Sequence, residues 1–161
     1  GAAASDKDID GLKDNGFGFN FYVNAMYNVN ANLTVGLEYN GSGVVIGDLD
    51  GATIKATSIN GNLLKAKYLF GENKVRPFVG VMTGLYGIRP GLVDQSGNAL
   101  TADRKFSFGF APEIGIQLSS FQFATSYHFP GKYKSEDALI GDISYTVWQF
   151  NIGWNIGLIS N

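Results

Sequence analysis

Residues 106–118, Phe-Ser-Phe-Gly-Phe-Ala-Pro-Glu-Ile-Gly-Ile-Gln-Leu, alternate between two kinds of side chain over their whole length. One set is bulky and apolar, and the other holds small residues, amides and one carboxylate. A period of two predicts a β-strand. A strand on the surface of a soluble protein would carry Lys, Glu, Arg and Thr on its polar side. The composition found here instead favours a narrow barrel whose polar side lines a crowded interior and whose apolar side faces lipid.

The same alternation recurs along the chain and predicts seven strands. Their ranges are 17–28, 33–43, 58–70, 77–88, 106–118, 121–129 and 144–157. The predicted connections are alternately short (29–32, 71–74, 119–120) and long (44–52, 89–105, 130–143). Short turns at one end and long loops at the other are typical of outer-membrane barrels. The pattern predicts an all-β, antiparallel, up-and-down transmembrane β-barrel of the eight-stranded type.

Composition sets the limits of this interpretation. At 161 residues the chain suits one domain, which we divide into a polar loop or tail over 1–16 and a single barrel over 17–161. The net charge of −2 does not indicate a nucleic-acid partner. The absence of Cys excludes disulfides, thiolate metal sites and a thiol nucleophile. The sequence has no run of 18 apolar residues, so it predicts no membrane-spanning helix.

Two points about the strand count stay open. Asn60-Gly61 is a strong two-residue hairpin signal that would split the third strand, although we favour one long strand through it. Seven strands are also one fewer than the barrel type requires. We therefore expect either that a strand preceding residue 1 is missing, or that the hairpin supplies the eighth strand.

Charged side chains are scarce within the predicted strands. Four of them, Glu38, Lys65, Lys67 and Glu113, fall on the polar side at a similar distance from the short-turn end. This placement predicts a buried carboxylate–ammonium cluster across the lumen. The cluster would act as a gate or proton path, or as a packed plug that neutralises charge and fixes strand register. We favour the plug.

Residues 76–80, Arg-Pro-Phe-Val-Gly, followed by Gly84-Leu85-Tyr86, resemble a segment of small outer-membrane β-barrels. These are the relatives of outer membrane protein X and of the transmembrane part of outer membrane protein A. The resemblance implies an eight-stranded up-and-down barrel with its short turns in the periplasm, and it implies no catalytic residues. The chain departs from the family because it does not end on an aromatic residue.

Candidate chemistry is sparse. Asp6, Asp8 and Asp10 with Gly11 match the first half of a calcium loop, but Phe17 stands where the bidentate Glu belongs, so we regard the site as weak. His128 is the only histidine, and Ser126 lies two residues before it on the polar side. No carboxylate is spaced to orient the imidazole, so we interpret His128 as structural. We expect no cofactor.

Aromatic residues near the strand ends predict girdles at the two membrane interfaces. They are Tyr27, Tyr68, Phe70, Trp148 and Trp154.

Three functions remain. We favour a non-enzymatic bacterial outer-membrane barrel, structural, adhesive or partner-binding through its long loops, in contact with membrane lipid and with another envelope or extracellular protein. A soluble lipocalin-like carrier would turn the Phe-rich side inward around a lipophilic ligand. A lipid-modifying membrane enzyme would use Ser126 and His128.

Overall fold

The computed structural model describes residues 2–9, 12–46, 55–93, 99–101, 103–133 and 143–154. Within them the chain forms ten strands. They are β1 Ala2–Ile9, β2 Leu12–Asn28, β3 Leu33–Ile46, β4 Lys55–Leu69, β5 Val75–Val93, β6 Ala99–Thr101, β7 Lys105–Leu118, β8 Phe121–His128, β9 Lys132–Tyr133 and β10 Ile143–Trp154. No helix in these ranges is long and apolar enough to cross a membrane.

Eight of the strands form an antiparallel ring in the order β1-β2-β3-β4-β5-β7-β8-β10, and β1 closes it by pairing with β10. Short β6 pairs with the end of β5, and β9 pairs with β10 beside the ring. Consecutive ring strands are neighbours throughout, which confirms the up-and-down barrel. The closed ring leaves few unpaired edges, because each strand has a partner on both sides.

The eighth strand corrects the expected division of the chain. Polar composition predicted a loop or tail over 1–16, yet Ala2–Ile9 pairs with β2 on one side and with β10 on the other. Two hydrogen-bonded neighbours outweigh the weak strand preference of a segment rich in Asp and Lys. The hypothesis that the chain lacks a whole ring strand is therefore wrong.

The third predicted strand is continuous, as favoured. β4 runs through Asn60-Gly61 without a turn, pairing Gly61 with Asn40 of β3 and with Tyr86 of β5. Two neighbours hold these residues in extended conformation, so the local hairpin preference is overridden. The hairpin alternative is wrong. The turn that does follow β4 begins at Gly71, whose φ of 72° lies in the left-handed region that favours glycine.

The orientation of the alternation is the one expected for a membrane barrel. Phe108 and Ile152 are each 69% exposed on the outside, whereas Glu113 is 4% and Asn151 is 7% exposed on the inside. Large apolar side chains cover the outer surface of all the ring strands from β2 to β10. A soluble carrier would show the reverse arrangement, so the lipocalin-like alternative is wrong.

The inside of the barrel is filled by side chains in two chemically different parts. Nearer the long-loop end lies an apolar cluster of Val44, Ile59, Leu63, Met82, Tyr86, Ile88, Ala111, Tyr145 and Val147. Inward-facing Gly109 provides room for it, because a Cβ there would stand 2.8 Å from the Tyr86 ring. Polar side chains occupy most of the rest. The sequence pattern did not predict this apolar cluster. Alternation determines which side of the sheet a residue faces, but it does not determine which residues its side chain contacts.

Candidate functional site

The centre of the polar interior is Lys65 on β4. Its Nζ lies 2.8 Å from Glu38 Oε2 on β3 and 2.9 Å from both carboxylate oxygens of Glu113 on β7. All three side chains are at most 3% exposed. One ammonium thus bridges a carboxylate from β3, which is paired with β4, and a carboxylate from β7, which lies beyond β5. The triad therefore helps to fix the register of these strands.

Lys67 lies near the triad but has different partners. Its Nζ donates to Gln117 Oε1 at 3.2 Å and to Gln122 Oε1 at 3.0 Å, and it stands 4.9 Å from the centroid of the Phe78 ring. Strand register puts Gly80 between Lys67 and Glu113 on the same row. The four charges predicted to cluster therefore form a triad and one separate cation that is solvated by amide oxygens.

A second polar network lies on the inner side of β1. Gln149 of β10 and Asn40 of β3 donate to each other's side-chain oxygens at 3.0 and 2.8 Å. Gln149 Nε2 also donates to Ser42 Oγ at 2.7 Å, and Asn20 Nδ2 donates to Gln149 Oε1 and Asn151 Oδ1. These amides link β2, β3 and β10 across the lumen. Their inward side was predictable from the alternation, whereas their meeting depended on barrel closure.

Ser126 and His128 lie inside the barrel, 2% and 1% exposed. Ser126 Oγ is 2.9 Å from His128 Nε2, and Tyr86 Oη is 2.9 Å from Nδ1. The phenol of Tyr86 therefore occupies the position at which a hydrolase would have a carboxylate. The exposed apolar side chains lie on the outside of the barrel, so Ser126 and His128 are separated from them by the sheet. Tyr86 was missed as a partner, although its inward side followed from the alternation.

The aromatic residues predicted as girdles all lie on the outer surface. Tyr27, Tyr68, Phe70 and Trp154 are exposed close to the short-turn ends of their strands. Trp148 lies farther along β10 and donates its Nε1–H to Thr125 Oγ1. A girdle role for these five residues stays a prediction.

The weak calcium candidate does not form the loop it requires. Asp6 and Asp8 lie on β1, which is extended and paired on both edges, whereas a calcium loop wraps around its ion. Asp10 lies outside the described residues. Among the residues the structure describes, no group of three or more His, Cys, Asp or Glu side chains could hold a metal ion.

No protein-family model and no curated protein matches the chain. Among solved structures, the chain matches Ail, the attachment invasion locus protein of Yersinia pestis, in complex with the heparin analogue sucrose octasulfate. The TM-score is 0.64 at 16% identity, covering 96% of this chain and 93% of Ail. Neisserial surface protein A matches with a TM-score of 0.57 at 16% identity, covering 94% of this chain and 90% of that one.

At this identity the likeness concerns the fold. Together with the apolar outer surface and the buried charges, it defines the class of protein. The chain is a small antiparallel transmembrane β-barrel of the bacterial outer-membrane type, as the resemblance to the relatives of outer membrane proteins X and A implied.

Proposed function

We propose that this chain is a non-enzymatic cell-surface barrel that binds an extracellular or envelope partner through the connections at its long-loop end. The observation that carries the proposal is the filled lumen. The Lys65 triad, the amide network around Gln149 and the apolar cluster occupy the interior with side chains. Because eight-stranded barrels leave no room for an aqueous channel once side chains fill them, the outside of the molecule is the surface on which it acts.

The class of partner is drawn from the matched structures. Ail is the attachment invasion locus protein of Yersinia pestis, and its crystal structure contains the heparin analogue sucrose octasulfate. Attachment to a sulfated polysaccharide or to another surface protein is therefore the activity we propose to test first. β3, β5 and β9 are followed along the chain by residues 47–54, 94–98 and 134–142, which are outside the described residues.

The test uses whole Gram-negative cells that display the protein. Each long connection is replaced separately by a short Gly- and Asn-containing turn, and the matched control alters the short turn 71–74 at the other end. We expect adhesion to heparin-coated or protein-coated surfaces to fall for at least one long-connection variant and to be unchanged for the control. Equal adhesion by cells with and without the barrel would contradict the proposal.

The filled lumen gives a second, independent test. Purified barrel in a planar lipid bilayer is expected to give no steady ohmic current, because the triad and the amide network block the path. A stable open-channel current would favour a pore instead.

Expression of the His128→Ala variant tests the enzyme alternative. If the lipid composition of the host membrane is the same with the variant as with wild type, the enzyme alternative is removed.

A further inference from the structure

Two exposed arginines occupy neighbouring strand positions at the long-loop edge of the apolar belt, by which we mean the band of exposed apolar side chains on the outer surface. β5 and β7 are paired up to Ile88 and Lys105, and the same register places Arg89 opposite Arg104 one step farther. Both arginines are exposed. The Arg104 side chain lies over Gly87, two residues before Arg89, because a Cβ at Gly87 would lie 3.1 Å from Arg104 Cδ and 3.0 Å from Phe106 Cε1.

Like charges directly opposite each other on a sheet repel. Within the described part of the chain, neither guanidinium has a hydrogen bond or ion pair with a carboxylate. Asp103 precedes Arg104, but one carboxylate does not balance two guanidinium groups, so the local charge remains positive. A pair of this kind is stable where an anion lies between the two guanidinium groups, and planar guanidinium forks match phosphate oxygens well.

A hydroxyl group extends the row on the neighbouring strand. Register places Ser58 of β4 next to Arg89, and Asn60 Nδ2 donates to Ser58 Oγ at 3.5 Å. Ser58 and Asn60 occupy the outward side of β4, where Leu64 and Tyr68 nearer the short-turn end are apolar. The row of Ser58, Arg89 and Arg104 therefore begins where the apolar belt ends.

The belt beside the row supplies the second half of a lipid site. Phe106 and Phe108 of β7 and Leu85 of β5 are exposed immediately on the membrane side of the arginines. A ligand with a phosphate and hydrocarbon chains can place the phosphate on the arginines and the chains on these side chains. A free anion would gain only the first of these contacts.

We propose that Arg89 and Arg104, with the Ser58 hydroxyl beside them, bind the phosphate of a membrane-lipid headgroup at the long-loop edge of the belt. The proposal rests on the membrane barrel described above and names a ligand for its outer rim. It is independent of the partner that the long connections bind.

The test titrates detergent-solubilised, folded barrel with lipid A and follows the lipid-bound fraction by native mass spectrometry. The double variant Arg89→Gln/Arg104→Gln is expected to bind lipid A on the order of tenfold more weakly, which corresponds to about 1.4 kcal/mol. The matched control Lys74→Gln/Lys132→Gln also removes two exposed cations, one at the short-turn end and one on β9. It is expected to bind like wild type. Dephosphorylated lipid A should bind wild type as weakly as lipid A binds the arginine variant.

Folding is checked first for every variant by the difference in electrophoretic mobility between heated and unheated samples. If the wild-type chain folds in plain buffer and its folding does not depend on detergent, the membrane barrel itself would be overturned. A folded, detergent-dependent barrel that retains lipid A equally with and without the two arginines would overturn only the phosphate site. Displacement of lipid A by equimolar inorganic phosphate would show a site for free anions and would also overturn the lipid assignment.

Discussion

The two parts of the barrel interior differ in chemistry although the same alternation turns both inward. Around Lys65 the inward side chains are charged or amide-bearing and are joined by ion pairs and hydrogen bonds. Nearer the long-loop end, Leu63 and Ile88 belong to an apolar cluster like that of a soluble protein. Leu63 and Lys65 are two residues apart on one strand. Alternation therefore determines the side that a residue faces, whereas the strands across the lumen determine what the side chain contacts.

The polar part should be the more sensitive to a single change, because its charges depend on each other. Lys65→Met leaves Glu38 and Glu113 buried without a cation, and we expect the free energy of unfolding to fall by about 3–5 kcal/mol. Urea unfolding of micelle-folded protein measures the loss. The compensating variant Lys65→Met/Glu38→Gln/Glu113→Gln should recover most of it. A single variant as stable as wild type would show that the triad does not hold the strands.

The apolar part should lose stability through packing. Leu63→Ala removes a side chain that is 2% exposed and leaves a cavity, with an expected loss of about 2–5 kcal/mol. Leu64→Ala on the outer surface is the matched control, since Leu64 is 62% exposed, and it should lose less. The same urea titration compares the pair. Equal losses from the two variants would mean that the cluster is not packed as described.

The apolar middle of the outer surface contrasts with the polar interior, because a charge there would face hydrocarbon without a partner. Ile114→Arg places a cation on the lipid side near the middle of β7, and we expect a loss of about 2–4 kcal/mol near mid-bilayer. Folding yield into vesicles and urea unfolding there both report it, with Ile114→Ala as the control for side-chain size. Normal insertion of the Arg variant would argue against lipid at this face.

The smallest effect is expected where the two interior parts meet. Tyr86→Phe keeps the ring in the apolar cluster but leaves His128 Nδ1 without its partner, at a cost of about 1–3 kcal/mol. Tyr68→Phe on the outside should change stability by less than about 0.5 kcal/mol. If the two variants behave alike in urea, the hydrogen bond to His128 contributes nothing measurable.

Several features were open to prediction because they are local. Residues 106–118 carry their inward and outward sides in a period of two, and the absence of Lys from the polar side of this segment indicated an enclosed surface. Glu38, Lys65 and Glu113 were placed at one depth by counting from the short turns. The continuous strand through Asn60-Gly61 was favoured for the same reason, since the alternation continues across it.

Other features depended on closure of the ring, which no local pattern contains. Residues 2–9 have the composition of a polar tail, and they form a strand because β10 and β2 pair with them on both sides. Lys67 lies on the polar side of the same predicted strand as Lys65, yet it donates hydrogen bonds to Gln117 and Gln122 instead of pairing with a carboxylate. Tyr86 meets His128 from a strand 42 positions away.

The sequence by itself determined the strand pattern, the side that each residue faces and the exclusion of charge from the belt, because a pleated strand alternates its side chains whatever its neighbours are. The tertiary structure alone decided which inward side chains meet, and it alone brought Arg89 beside Arg104. Those contacts depend on the register between strands, and register is set only when all eight strands of the ring are paired.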